Sequence, residues 1–180
     1  MLLEKKNRIR LRDKTLQDVF QDYTWRCDNE LSRLDGMAPL DMPLSDFLTR
    51  YKEELENPPP DQCRYAIETY EGKHIGNCMY YDLNEYRGEA EIGILIGEKL
   101  YWNNGHGKEA VDSLLKLIFD NVNIQKVYLK TLADNFRAQR CFFKCGFMPS
   151  GSIIANGRHF ICMETMRSGW LKKWKMSDER

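Results

Sequence analysis

Leu100-Tyr101-Trp102-Asn103-Asn104-Gly105-His106-Gly107-Lys108-Glu109-Ala110 lies between two strongly patterned segments, and the rest of the chain is organised around it. A β-patterned run, Glu89 to Gly97, leads into it, and a helical pattern from about Gly105 to Val122 leads out. Gly105 and Gly107 stand one residue apart with Lys108 directly after. Glycines here let several N–H groups turn into one concavity, and no side chain blocks a ligand's approach. The following helix adds its own unpaired N–H groups and the positive end of its dipole. Together they describe a pyrophosphate-binding site, although an ordinary strand-to-helix turn that needs glycine carries the same signature.

Two other phosphate loops are excluded by context. Gly105-x-Gly107-x-x-Ala110 fits the Rossmann dinucleotide fingerprint, but that motif follows the first strand of a repeating βαβ series. Here one further strand–helix pair follows before a hairpin. A Walker loop needs Gly-Lys-Ser/Thr, which the chain lacks.

Outward from this stretch the chain alternates clearly. Arg8 to Arg12 has the period of a half-buried strand, and Leu16 to about Glu30 a helix with Leu16, Val19, Phe20 and Tyr23 on one face. Asp35-Gly36, Pro39 and Pro43 mark an irregular stretch. A second helix starts at Ser45 and is ended by Pro58 to Pro60. Cys63 to Tyr70 and Ile75 to Leu83 form a hairpin, with Glu89 to Ile96 as the next strand. The helix after the glycine loop carries Ala110, Val111, Leu114, Leu115, Ile118 and Val122 on its apolar face. Lys126 to Leu132 is a strand and Asn135 to Cys145 a helix, with Gly146 as a left-handed cap. Asn156-Gly157 joins strands Phe147 to Ala155 and His159 to Met166. In the tail, 167–180, Trp170, Leu171 and Trp174 share one helical face that packs on this domain or on a second subunit. The order β-α-α-β-β-β-α-β-α-β-β predicts a mixed α+β domain over residues 1–180, with one mixed sheet of about six to seven strands flanked by about four helices.

Composition narrows the function. The 180 residues are 42% hydrophobic and 30% charged, with formal net charge zero, so nothing advertises nucleic acid as a partner. No apolar run approaches the ~20 residues of a membrane span, and Met1 to Lys6 is no signal peptide. Six cysteines without a Cys-x-x-Cys pair and three scattered histidines predict reduced thiols, a cytoplasmic protein and no metal site.

The whole chain resembles the GNAT-type N-acetyltransferases. The resemblance rests on Trp102-Asn-Asn-Gly105-His-Gly107-Lys-Glu-Ala110 and on Asn135-Phe-Arg-Ala138 followed by Cys141-Phe-Phe-Lys-Cys-Gly146-Phe147. Trp102, the Arg8-x-Arg10-x-Arg12 run and Tyr23-Thr-Trp25-Arg-x-Asp28 look like the RimJ/RimL-like branch, which acetylates N-terminal amines of ribosomal proteins. The resemblance implies a GNAT fold and transfer of acetyl from acetyl-CoA to a primary amine, on a peptide N-terminus or a small molecule. A catalytically weak acyl-CoA-binding sensor or assembly protein is the alternative. A homodimer is left open.

It also implies roles. Backbone groups of Ile94, Leu95 and Ile96 would meet the pantetheine and thioester carbonyl. Trp102, Asn103, Asn104, Gly105, His106, Gly107 and Lys108 would form the pyrophosphate loop. Asn135 would bond the pantetheine arm, and Arg140 is a candidate for a CoA phosphate. Phe142 stands where many members have the tyrosine that protonates the departing thiolate, and Ala138 where some have serine. Glu91, then Glu89, are the expected bases, with both also readable as solvent-facing sheet residues. Trp25, Arg26 and Asp28 would line the acceptor side, a plain helix end being the other reading. A thiol acid at Cys141 or Cys145 is weighed against buried packing, which the residue type favours.

Overall fold

A computed structural model describes residues 8–178 except Val122, without the side chains of 121 and 173–178. One seven-stranded sheet runs in the order β1-β2-β3-β4-β5-β7-β6. Its strands are β1 (Ile9–Asp13), β2 (Cys63–Thr69), β3 (His74–Asn84), β4 (Glu89–Ile96), β5 (Lys126–Leu132), β6 (Met148–Ala155) and β7 (Arg158–Met166). The helices are α1 (Val19–Cys27), α2 (Asn29–Leu34), α3 (Leu44–Glu56), α4 (His106–Asn121), α5 (Phe136–Cys145) and α6 (Arg167–Asp178). The mixed α+β class and the single sheet agree with the sequence pattern, while the α-helices among the described residues number six rather than about four.

The difference lies mainly between Leu16 and Leu34. Asp28 leaves helical geometry, with φ −71° and ψ 122°, and its carboxylate accepts from the Leu31 N–H at 2.9 Å. An aspartate that caps a new helix breaks the old one, because its side chain satisfies an orphan donor that a continuing helix would not expose. Elsewhere local chemistry prevails. Gly146 ends α5 at φ 99°, and Asn156 and Gly157 both take positive φ in the β6–β7 turn.

The core lies under α4. Ala110, Val111, Leu114, Leu115, Ile118 and Phe119 are buried against Ile67, Ile75, Ile92, Val127, Leu129 and Met163. Apart from Ala110, each such side chain contributes roughly 1.5–3 kcal/mol of burial. Trp170 of α6 closes one end of this core, its ring centroid 5.5 Å from that of Phe119. The expected apolar-face member Val122 and the Trp174 side chain lie outside the described residues.

The sheet's decisive feature is the β4–β5 junction. These strands pair in parallel only at Glu89↔Lys126, Ala90↔Val127 and Glu91↔Tyr128. β5 instead stays with β7 over its whole length. From Ile92 onward β4 therefore runs free of β5, and the sheet opens like a V. A bulge in β3 between Tyr81 and Asn84, with Asp82 at φ 51°, faces the last paired residues of β4. Bulges sharpen local twist and re-aim side chains.

Behind the sheet, α1 and α3 cover a buried polar cluster. Lys14 Nζ lies 2.7 Å from Asp22, Tyr51 donates to Asp22 at 2.9 Å, and Arg12 bonds Asp18 and Glu68. His74 sits among them, 3.0 Å from the Asn77 amide oxygen, 3.3 Å from Asp18 and edge-on to Trp25. Burial, reinforced by Lys14, lowers the His74 pKa. The folded protein thus holds His74 neutral where the unfolded chain takes a proton below about pH 6.5. The His74 contribution to stability is complete above that pH and declines as pH falls through it. In urea unfolding, His74→Asn should lose less stability than the parent between about pH 7.5 and 5.5. Parallel curves for the two proteins would show that His74 does not set this dependence.

Candidate active site

The opening of the V is a cavity of about 310 Å³. Ile94, Leu95 and Ile96 of β4 form one wall, and Asn135, Ala138 and Phe142 of α5 form the other. The loop from Tyr101 to Lys108 closes one end, and Leu31, Leu34 and Asp35 from the end of α2 lie over it.

The loop has the backbone that its glycines suggest. Asn103 and Gly105 take φ of 60° and 86°, which reverses the chain between β4 and α4. A Cβ on Gly107 would stand 3.6 Å from Cys141 Sγ and 3.7 Å from Ile96 Cγ1. The glycine thus opens a slot between α4, α5 and β4. The Glu109 N–H bonds back to the Gly105 carbonyl at 3.1 Å, so the N–H groups of His106, Gly107 and Lys108 belong to the unpaired first turn of α4.

Arg8 braces the loop from outside. Its backbone N–H and Nε donate to Glu109 at 3.0 and 2.8 Å, and its Nη1 donates to the Asn104 carbonyl. Lys108, the expected phosphate partner, is paired with Asp112 one turn along the helix. His106 turns back to Tyr101, with Nδ1 3.3 Å from its carbonyl oxygen. Asn104 donates its side-chain amide to the Leu100 carbonyl at 3.2 Å.

Trp102 spans the cavity. Its indole N–H donates to the Ile96 carbonyl at 2.6 Å, and Arg137 of α5 lies over its ring with Cζ 3.3 Å from the centroid. Asn135 is the N-cap of α5: its side-chain oxygen accepts from the Ala138 N–H at 3.2 Å, and its amide donates to the Leu34 carbonyl at 3.4 Å. It therefore ties α5 to the end of α2 at the cavity wall. Arg140 is exposed and lines the cavity, while Phe142 is buried there against Phe147.

The carboxylates are distributed differently from the strand-alternation argument. Glu91 is 3% exposed and does not line the cavity. Tyr81 donates to one of its oxygens at 2.8 Å and Lys130 to the other at 2.7 Å. Both oxygens are thus already engaged as acceptors, which leaves neither free to face an incoming amine. Glu89 pairs with Lys126 at 2.7 Å, which lowers its pKa. Asp35, by contrast, lines the cavity. It stays open to solvent through the cleft yet is crowded by protein, and this burial pushes its carboxyl up to about 6 despite the nearby charge of Arg26. Burial and the bond to Glu91 raise the pKa of the Tyr81 phenol, with a smaller contribution from Asp35.

Trp25, Arg26 and Asp28 do not line the cavity. Trp25 is 3% exposed, and a Cβ on Gly97 would meet its ring at 2.1 Å, so the indole fills the space that Gly97 leaves. Asp28, besides capping α2, pairs with Lys99 at 3.1 Å. Cys141 lines the cavity, while Cys145 is buried with its thiol toward the Lys108 carbonyl. Among the described residues no group of three or more His, Cys, Asp or Glu is placed to hold a metal.

Sequence reasoning missed Arg8, Asp35 and Arg137 as site residues. Arg137 lies inside the second motif and Asp35 in the Asp-Gly turn, so each had a local marker without a local reason to face the cavity.

The comparisons agree with this geometry. The family model described as acetyltransferase (GNAT) domain matches residues 8–148, and the chain belongs to that family. Among curated proteins, a probable spermine N(1)-acetyltransferase of Bacillus subtilis subsp. natto is 26% identical over 100 residues, 53% of this chain and 66% of that protein. A spermidine N(1)-acetyltransferase of Vibrio cholerae is 25% identical over 100 residues, 53% of this chain and 57% of its own length. These aligned stretches leave a third or more of each relative unmatched. The crystal structure of Vibrio cholerae spermidine N-acetyltransferase in complex with CoA and spermine superposes with a TM-score of 0.81 at 19% identity, over 91% of this chain and 98% of that one. The aminoglycoside acetyltransferase AAC(6′)-Ib in complex with coenzyme A gives 0.75 at 21% identity, over 91% and 98%. These likenesses support the GNAT fold. They point to relatives named for small-molecule amines, and the narrower resemblance to the ribosomal-protein branch is not supported by them.

Proposed function

We propose that this protein is an acetyl-CoA-dependent N-acetyltransferase whose acceptor is a small-molecule primary amine. The observation that carries the reading is the V between β4 and β5, closed at one end by the glycine loop and the first turn of α4. These residues suit the cofactor: Gly105 turns the loop, Gly107 leaves space beside unpaired N–H groups, and the edge of β4 beyond Glu91 offers backbone partners for a pantetheine amide chain. Acetyl-CoA supplies an activated acyl group. The protein has to hold the amine against it, neutralise that amine and polarise the carbonyl.

Asp35 is the carboxylate best placed for the amine. At about 6, its pKa leaves it mostly ionised at neutral pH while still able to take a proton, whereas both oxygens of Glu91 already carry donors. Glu91, paired with Lys130 and bonded by Tyr81 away from the cavity, then has a structural role in holding the strands together below the V. Phe142 offers no proton, so the thiolate, with a thiol pKa near ~8.5, departs unassisted or is protonated by water.

Free-thiol release from acetyl-CoA, followed across a panel of spermidine, spermine, an aminoglycoside and peptides with free N-termini, tests the reading. Release with the polyamines or the aminoglycoside, well above the rate without amine, is the expected result. Release with peptides alone would return the acceptor to the ribosomal-protein type. Tight CoA binding with no release for any amine would make the protein an acyl-CoA sensor, the reading that Phe142 favours.

A further inference from the structure

Asp35 stands in a turn that is held from outside its own helix. The turn is a Schellman motif: the Gly36 N–H bonds to the Arg33 carbonyl at 3.0 Å and the Met37 N–H to the Ser32 carbonyl at 2.8 Å. Asp35 is the C-cap of α2, at the end of a helix where the dipole disfavours a carboxylate. Local chemistry therefore gives an aspartate no reason to be there.

Two other elements hold the turn. Gly36 takes φ 73°, and a Cβ on it would lie 2.6 and 2.7 Å from Cε1 and Cζ of Phe160 on β7. Gly72 and Gly157 also take positive φ, yet a Cβ on either would meet nothing within 4 Å. Glycine at 36 thus serves both the left-handed backbone and the aromatic ring that lies against it. Arg158, two residues before Phe160, donates from Nη1 to the Met37 carbonyl at 3.2 Å. From α5, Asn135 donates to the Leu34 carbonyl at 3.4 Å. Contacts at 34, 36 and 37 bracket Asp35, whose own N–H bonds to the Leu31 carbonyl at 2.9 Å. Phe160 is fixed in turn by the sheet, opposite Leu132 of β5 and Ile153 of β6.

We propose that Phe160 is a positioning residue for the acceptor half of the site: its ring, received by Gly36, sets the turn that presents Asp35 to the amine. The proposal rests on the reading of Asp35 as the base, and it brings the β6–β7 hairpin into the machinery of the reaction. Arg26 of α1 favours the ionised form of Asp35, and the Tyr81 phenol of β3 feels its charge. Arg137 and Arg140 line the same cavity from α5, and Arg158 of β7 reaches the turn. Replacing the Phe160 ring leaves all of these groups in place.

Steady-state kinetics with acetyl-CoA and each amine of the panel above, on the parent, Phe160→Ala, Phe160→Leu and Gly36→Ala, provide the test. Phe160→Ala should lower kcat by roughly 10- to 100-fold, the scale of a misplacement of about 1 Å. Its CoA affinity by calorimetry should stay within about twofold, because the turn does not belong to the glycine loop. The acidic limb centred near 6 should move to lower pH, since crowding by protein raises the Asp35 pKa and a loosened turn gives the carboxyl more water. Phe160→Leu keeps apolar bulk and should recover part of the rate. Gly36→Ala should reproduce the loss from the other side of the contact. If Phe160→Ala does not fold, Phe160→Leu carries the same readouts at smaller amplitude. A folded Phe160→Ala enzyme with parental kcat and pH profile would overturn the proposal. So would a loss of kcat with an unmoved limb, which would mark a merely structural ring. An Asp35→Asn enzyme with the parental rate would instead remove the base reading beneath the proposal.

Discussion

Gly107→Val should abolish measurable CoA binding, a loss on the order of 100-fold or more, while the protein remains folded. The two glycines of the loop differ in what they tolerate. Gly105 needs its positive φ of 86°, and a Cβ there would press on Arg8 Nη2 at 2.6 Å, so substitution disturbs the turn itself. Gly107 lies in helical geometry, and its missing Cβ would make only ordinary contacts at 3.6 and 3.7 Å. An alanine is therefore compatible with the fold. Valine's two further methyl groups would occupy the slot between Cys141, Ile96 and the unpaired N–H groups of α4, where a pyrophosphate must sit. Thermal unfolding separates the cases: a retained transition together with lost CoA binding supports the cradle, and retained affinity in Gly107→Val excludes it.

Asp35→Asn should lower turnover by about 10²- to 10⁴-fold, the usual range for loss of a general base. It should also remove the rise in rate with pH that is centred near 6. The sign follows from the raised pKa: below about 6 the carboxyl is protonated and cannot accept the amine's proton, and above it the base form accumulates. Glu91→Gln tests the other carboxylate. Removing its charge leaves Lys130 without its anion and weakens the bond from Tyr81, so some loss of stability is expected with any loss of rate. The discriminating readout is the pH profile. An Asp35→Asn enzyme that keeps its acidic limb, beside a Glu91→Gln enzyme that loses it, would transfer the base to Glu91.

These two carboxylates show where strand alternation stops being informative. Alternation correctly sets Glu89 and Glu91 on one face of β4, but it says nothing about what lies across from them. Lys126 and Lys130, from the adjoining strand β5, neutralise both. Asp35, in a stretch legible only as irregular, is carried over the cavity because Asp28 breaks the first helix and turns α2 across the open V. No periodicity within residues 16–36 encodes that placement.

The features legible along the chain are local in origin. The glycine loop, the apolar face of α4, the Gly146 cap and the Asn156-Gly157 turn follow from backbone φ preferences and residue spacing, which act within a few positions along the chain. The element order and two short motifs then pointed to the GNAT fold. How the site is equipped depends instead on long-range packing: Arg8 bracing a loop 96 residues away, Trp25 filling the space at Gly97, Lys130 and Tyr81 holding Glu91, and Arg137 lying on Trp102. Each of these joins residues of different segments, set by how the sheet parts after Glu91 and by which residues the helices then bring to the gap.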